Sequence, residues 1–366
     1  MGVIPLKLRF VAARLPFEAQ LKWVATDNES VLMQYFLDAT KTNLKQLEPL
    51  LVEYLLTPNE PTNDVLRHIF SAGGKRVRPA LFLLVADLIG YAGEHRMPIA
   101  AVCEYIHTAS LLHDDVIDNS TLRRGKPTAN SIWGDETAVL SGDLIYSAAC
   151  RLMVKTRSLE LIDTFAECIR FMSESELFQL ELLWKTDITR NQYERIVLGK
   201  TAILFEASTK TPGFLAELND ESCEELGVFG KNLGFVFQFA DDLLDYTGNQ
   251  ETVGKAVAAD LRSGKVTLPL LCALENEAAL QKQELKDRVT TCLTAGECTD
   301  NEMNIITNLV RSRGGIDTAL SLGQQRVEMA QSALQRAVSM ISNTKQTSQT
   351  VDILMTLPRA LLMRSQ

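Results

Sequence analysis

Two short acidic runs carry the clearest chemistry in this chain. Asp114-Asp115-Val116-Ile117-Asp118 ends an otherwise apolar stretch, and Asp241-Asp242-Leu243-Leu244-Asp245 ends another. In a helix, the first and last carboxylates of each run lie four residues apart and share one face. Like charges at that spacing repel, aspartate is a poor interior helix residue, and negative charge near a helix C-terminus opposes the macrodipole. Local stability therefore argues against the pattern, and a divalent cation reverses that argument. Mg²⁺ suits carboxylate oxygens, keeps waters and bridges carboxylates to phosphates. One such run reads equally as a solvated helix end. Two, each closing an apolar helix, point to a shared mouth for metal and phosphate.

A phosphorylated ligand also needs cations. Gly73-Gly74-Lys75-Arg76-Val77-Arg78-Pro79 leads into a helix, so backbone N–H groups and basic side chains can face an anion. The spacing is not that of a P-loop. Arg123-Arg124-Gly125 follows the first acidic run, Lys200-Thr201 lies in a helical segment, and Lys255 and Lys265 flank a Gly-containing loop. Arginine grips phosphate bidentately, and lysine supplies a compact point charge. Each alone reads as a surface charge; their placement beside both acidic runs sets them apart.

The elements that must position these groups read as helices. From Ser30 onward, apolar residues recur at i, i+3, i+4 and i+7 in segments 97–117, 133–155, 159–182, 190–209, 222–246 and 314–342. Strand signals are nearly absent, with no Asn-Gly or Asp-Gly hairpin between alternating runs. Pro79 is expected to open a helix near Ala80, and Pro98 lies at the start of the next. Gly213, Gly248, Gly254 and Gly264 are read as connections, and 247–264 as a long functional loop. A second break is expected around Thr294–Asp300. The fold expected is all-α: an antiparallel helix bundle, with residues 30–366 as a single domain and 1–29 as an N-terminal extension, helical or mobile.

Composition fits that reading. The 366 residues are 46% hydrophobic and 23% charged, ordinary globular usage that excludes disorder for most of the chain. The net charge is −9, which argues against nucleic acid as a partner. Seven cysteines without a C-x-x-C pair make a disulfide framework or structural zinc unexpected and suggest a reducing compartment. Four His without H-E-x-x-H argue against a His-rich metal site. No uninterrupted apolar stretch reaches the ~18 residues of a membrane span. The first 25 residues carry Lys7, Arg9, Arg14 and Lys22 against Glu18, but no continuous apolar core and no Ser, so neither a secretory signal nor a transit peptide is supported. A cytoplasmic protein is expected.

Six motifs then occur in a familiar order: G-G-K-R-V-R-P, H-T-A-S-L-L-H-D-D-V-I-D, L-R-R-G-K-P-T-A-N, the Lys200-Thr201 region, F-Q-F-A-D-D-L-L-D-Y and D-L-R-S-G-K-V-T-L-P. The chain resembles the trans-isoprenyl diphosphate synthases over roughly residues 30–366, and looks closest to their bacterial long-chain, octaprenyl-type members. The resemblance implies helices around a central cavity, a homodimer, and condensation of an allylic diphosphate with isopentenyl diphosphate. It implies that Asp114, Asp118 and Asp241 bind Mg²⁺, with Asp115, Asp242 and Asp245 completing the motifs. Lys75, Arg78, His107 and Arg124 would hold isopentenyl diphosphate. Arg123, Lys200, Thr201, Gln238, Lys255 and Lys265 would hold the allylic diphosphate. Two departures stand out: Ser175-Glu176 where the family often has Gly-Glu, and Ala-Val-Ala-Ala after Lys255.

Ala109 and Ser110 lie about one turn before Asp114, where bulky aromatics in the family stop chain growth early. Small residues there predict a long product, roughly octaprenyl, quinone biosynthesis as its destination, and transient membrane contact on release. The plain alternative is a helix contact that needs small residues. Other readings are a shorter-chain synthase, a non-catalytic subunit of a heteromeric synthase, a terpene cyclase and a His-Asp phosphohydrolase. Subunits usually lose an acidic run, cyclases replace the second one, and too few His are present for the last.

Overall fold

The segments with a 3.6-residue apolar period form helices whose ends are set by local capping. The computed structural model describes residues 29–247, 258–276, 279–295, 298–341 and 347–363. The first helices are α1 (Glu29–Glu53), α2 (Glu60–Ser71), α3 (Val77–Leu88) and α4 (Arg96–Ile117). A two-stranded hairpin, β1 (Leu122–Arg123) and β2 (Lys126–Pro127), precedes α5 (Ala129–Trp133), α6 (Asp135–Lys155) and α7 (Leu159–Leu182). Next come α8 (Arg190–Val197), a π-helical turn (Leu198–Ala202), α9 (Ile203–Leu215) and α10 (Asp220–Thr247). The chain continues as α11 (Ala259–Arg262), α12 (Leu268–Glu275), α13 (Ala279–Ala295), α14 (Asp300–Ser312), α15 (Gly315–Met340) and α16 (Thr347–Met363). The all-α expectation holds, and the stretch read as 1–29 lies outside the described residues except for Glu29.

Several boundaries follow from particular residues. Ser158 caps α7 by accepting from the Leu161 N–H, and Thr189 and Gln192 form a reciprocal capping box on α8. α3 starts at Val77 rather than at Pro79, because Arg76 takes left-handed backbone (φ 46°) and turns the chain into the helix. Gly213 is not a connection: it lies inside α9, where an added Cβ would come within 2.7 Å of the Cys223 sulfur. Gly264 does end a turn, at φ +81°. Gly248 and Gly254 lie outside the described residues.

The core has two apolar clusters. One gathers α10, α12 and α15 around Phe229, Phe239 and Leu334; the other gathers α4, α6 and α7 around Ile106, Ile145 and Phe165. α3 and α9 face both: Leu81 and Phe205 enter the first, Phe82 and Leu204 the second. α10 packs along α15 and α9, and α4 along α6 and α3. This layout puts each acidic run at the C-terminal end of a helix rooted in its own cluster.

One pairing departs from the sequence expectation. Cys292 and Cys298 are joined by a disulfide, while Cys103, Cys150, Cys168, Cys223 and Cys272 are free. A spacing of six residues carries no C-x-x-C signal. The end of α13 and the start of α14 lie close enough for the two sulfurs to meet.

Candidate active site

The first acidic run splits by function as α4 ends. Asp115 turns inward, 3% exposed, and takes a bidentate grip from Arg123: Nε and Nη2 lie 2.9 and 2.7 Å from Oδ1. Arg123 belongs to the hairpin whose turn, Arg124-Gly125, has positive φ at both positions (53° and 74°), as a type I′ turn requires. Asp115 therefore anchors this hairpin instead of facing the cleft. The hairpin in turn delivers Arg124, whose Nη1 donates to the Gly73 carbonyl. An added Cβ on Gly74 would stand 2.3 Å from that nitrogen, so the glycine permits the close approach.

The basic run divides likewise. Arg76 is an internal strut, 2.6 Å from Glu104 and 2.9 Å from Glu48. Lys75 is exposed. Arg78 is buried over the Phe205 ring, 4.9 Å from its centroid, and its Nε has no hydrogen-bond partner. Burial pulls its pKa down to about 10, against the pull of Glu104. His107 is held well below its usual value by burial and then by Arg78, Arg124, Arg123 and Arg76, so it is neutral at pH 7. The Arg78 Nε is thus a buried donor of positive charge without a hydrogen-bond partner, and the charges of four arginines act on His107. Ser110 bonds back to the His107 carbonyl (2.9 Å), and Ala109 is fully buried.

The second run faces a cleft of about 240 Å³, lined by Lys200, Thr201, Gln238, Asp241, Asp242, Asp260 and Lys265 among others. Lys200 sits on the π-helical turn, a local irregularity often found at functional sites. Gly199 lets that turn press against α7; an added Cβ would overlap the Ser175 hydroxyl at 1.8 Å. The Ser175 departure is accommodated there, its hydroxyl donating to the Arg195 carbonyl at 3.3 Å.

Two lysines tie the acidic runs together. Lys200 Nζ lies 2.6 Å from Glu176 and 3.8 Å from Asp114 Oδ2, and Lys265 Nζ lies 3.9 Å from Asp118 Oδ2. Both lysines line the cleft that Asp241 faces. Burial raises the Asp114 pKa despite Lys200, whereas for Lys200 the pull of Asp114 and Glu176 outweighs burial and raises it too. Asp242 is 1% exposed and accepts from Tyr193, Gln238 and the Leu268 N–H at 2.5, 2.8 and 3.2 Å. Burial, then Asp260, pushes its pKa up to about 7. Asp245 accepts from the Ala259 and Asp260 N–H groups at 3.0 and 3.2 Å, which fixes the start of α11.

Among the described residues, no three metal-type side chains form a ready-made cage. Carboxylate oxygens are ligands of the type that Mg²⁺ takes together with waters and substrate phosphates. Asp114, Asp118 and Asp241 supply hard oxygens around the cleft.

Lys255, Ala256 and Val257 lie outside the described residues, while Ala258 and Ala259 open α11. Sequence reasoning missed Glu176, Tyr193 and Asp260 as site residues. Asp260 was legible in principle, five positions before Lys265 in a motif already singled out. Tyr193 carries no local signal, because its partner is forty-nine positions away.

The sequence pattern of the polyprenyl synthetase family matches residues 59–304. Octaprenyl diphosphate synthase of Escherichia coli (strain K12) is 40% identical over 252 residues, covering 69% of this chain and 78% of its own. Solanesyl diphosphate synthase 2, chloroplastic, of Arabidopsis thaliana is 34% identical, covering 82% of this chain and 71% of its own. The crystal structure of a decaprenyl diphosphate synthase from Rhodobacter capsulatus superposes with a TM-score of 0.81 at 29% identity, covering 92% and 99% of the two chains. A polyprenyl synthase from Caulobacter crescentus CB15, solved with calcium and isoprenyl diphosphate, gives 0.79 at 32% identity, covering 91% and 97%. The matched pattern and these relatives, all prenyl diphosphate synthases, show that this chain belongs to the polyprenyl synthetase family.

Proposed function

We propose that the protein condenses an allylic diphosphate with isopentenyl diphosphate, with Mg²⁺, and repeats the step to a long all-trans chain of roughly octaprenyl length. The observation that carries this reading is the pair of lysines, Lys200 and Lys265, that line the cleft of the second acidic run and touch carboxylates of the first. The Caulobacter protein, solved with calcium and isoprenyl diphosphate, supports a metal-bridged diphosphate.

Lys200, Thr201, Gln238 and Lys265 bind the allylic diphosphate. Asp114, Asp118 and Asp241 would hold Mg²⁺, which when bound neutralises charge on the leaving diphosphate. The carbon–oxygen bond breaks with its electron pair going to diphosphate, and the cations stabilise that charge. Lys75, Arg78, His107 and Arg124 hold isopentenyl diphosphate so that its double bond attacks the allylic cation. A proton then leaves the adduct for the departed diphosphate, and the apolar walls keep water from the cation. The test is incubation of the purified chain with Mg²⁺, farnesyl diphosphate and labelled isopentenyl diphosphate, followed by chromatography. Octaprenyl-range products are expected; products ending at geranylgeranyl length overturn the long-chain reading, and none overturns the function.

We further propose a homodimer through α6 and α7. On α6, Leu140 is 65% exposed and Val154 lies two heptads on; on α7, Leu159 is 76% exposed and Leu177 lies five turns on along the same face. α6 is long and apolar enough to cross a membrane by length and composition, yet only 39% of that stretch is buried within the chain. An apolar stripe on two neighbouring helices is what a second copy covers. Light scattering of the protein and of Leu140→Glu is expected to give dimer and monomer; a monomeric wild type overturns it.

A further inference from the structure

The buried carboxylate of Asp242 belongs to an acidic run but makes its contacts away from the rest of that run. Its Oδ2 accepts from the Tyr193 hydroxyl (2.5 Å) and the Leu268 N–H (3.2 Å). Its Oδ1 accepts from Gln238 Nε2 (2.8 Å). At the other end of the same amide, Gln238 Oε1 accepts from the Thr201 hydroxyl (2.9 Å). Tyr193, Asp242, Gln238 and Thr201 therefore form one continuous chain of hydrogen bonds linking α8, α10 and the π-helical turn.

This chain fixes which way the amide points. The amide nitrogen of Gln238 faces Asp242 Oδ1 at 2.8 Å, and its oxygen faces the Thr201 hydroxyl at 2.9 Å. Nε2 carries two hydrogens, and the bond to Asp242 uses one. The other is left for the cleft, which Gln238 lines together with Lys200 and Lys265. Were Asp242 free to swing, the amide could flip and offer a carbonyl oxygen to an anion, which repels it.

We propose that Tyr193 is a positioning residue that holds Asp242 so that Gln238 presents an N–H to the allylic diphosphate. Tyr193 is suited to the task. It projects from α8, whose start is pinned by the Thr189–Gln192 capping box, and its ring stacks on Phe239 at 6.1 Å. The hydroxyl is thus delivered by a buried side chain packed on Phe239, while the Leu268 N–H steadies Asp242 Oδ2 from the start of α12. Asp242 acts here as a strut within the protein.

The inference rests on the diphosphate-binding reading above, so the wild type is measured first. Steady-state kinetics of the full chain with Mg²⁺, varying each diphosphate in turn, are compared for the wild type, Tyr193→Phe, Gln238→Ala and the double variant. Tyr193→Phe keeps the ring and its stacking. Its KM for the allylic diphosphate is expected to rise about tenfold, as for a lost hydrogen bond to a charged group, with the KM for isopentenyl diphosphate unchanged. Gln238→Ala should raise the allylic KM at least as much, and the double variant should match Gln238→Ala alone, because both residues act through one amide. A lowered melting temperature with both KM values unchanged, or effects that multiply in the double variant, would overturn the proposal while leaving the reaction intact. A wild type without condensation activity overturns both.

Discussion

Lys265 Nζ stands 3.9 Å from Asp118 Oδ2, although the lysine follows the second acidic run and the aspartate closes the first. Lys200 does the same for Asp114 at 3.8 Å. Each distance exceeds that of a direct hydrogen bond, so neither lysine is locked to the acidic run it approaches; Lys200 is held instead by Glu176 at 2.6 Å, which keeps it beside Asp114. Lys200→Ala is expected to lower kcat/KM about a hundredfold or more, the range seen when one preorganised charge-stabilising donor is removed. Initial rates at saturating and limiting allylic diphosphate check this; a change under threefold would contradict it.

Two aspartates of one run should respond differently to loss of charge. Asp115 holds Arg123 and the hairpin, so Asp115→Asn is expected to cost about 2 kcal/mol of stability. Asp118 repels Asp114 at i, i+4, so Asp118→Asn should leave stability within about 0.5 kcal/mol of wild type while activity falls. Denaturant unfolding of the two variants, with activity assays alongside, measures both effects.

His107 makes stability depend on pH. Its folded pKa is well below the usual 6.5, through burial and the four arginines, so the unfolded chain binds the proton more readily. Stability from this group is complete above the unfolded value and is lost as pH falls below it toward the folded value. His107→Gln should flatten that part of the profile between about pH 5 and 7. Melting temperatures across this range, wild type against variant, give the comparison; identical slopes would contradict the assignment.

Ala109 is buried on α4, one turn from Asp114, in contact with the cluster that α6 completes. A ring there occupies space below the acidic mouth. Ala109→Phe is expected to shorten the product by two or more isoprene units, read by chromatography. An unchanged product length would remove Ala109 from the path of the growing chain.

The helices were legible because each has its own periodicity, and α7 begins and ends where its pattern does. The acidic runs were legible because repulsion within each is visible in the sequence alone. What stayed hidden depends on partners distant in the chain. Asp114 and Asp115 look equivalent as letters, yet one lies near Lys200 and the other grips Arg123, because a helix turns 100° between them. Arg76 and Arg78 differ for a similar reason: Glu104 claims the first and leaves the second. The hairpin turns through Arg124-Gly125, without the Asn-Gly or Asp-Gly pair that marks a type I′ turn in sequence. Gly213 was misread because its need for closeness comes from Cys223 on another helix. The Cys292–Cys298 pair has a spacing of six residues that carries no signal of its own.

Calorimetric titration of a non-reacting allylic thiolodiphosphate into wild type, Asp114→Asn and Asp241→Asn, with and without Mg²⁺, tests the convergence of the two acidic runs most directly. Tight binding that requires Mg²⁺ in the wild type, and is weakened at least tenfold by either substitution, is the result predicted. Binding that ignores Mg²⁺, or that survives the loss of one run untouched, would contradict a shared grip on the diphosphate.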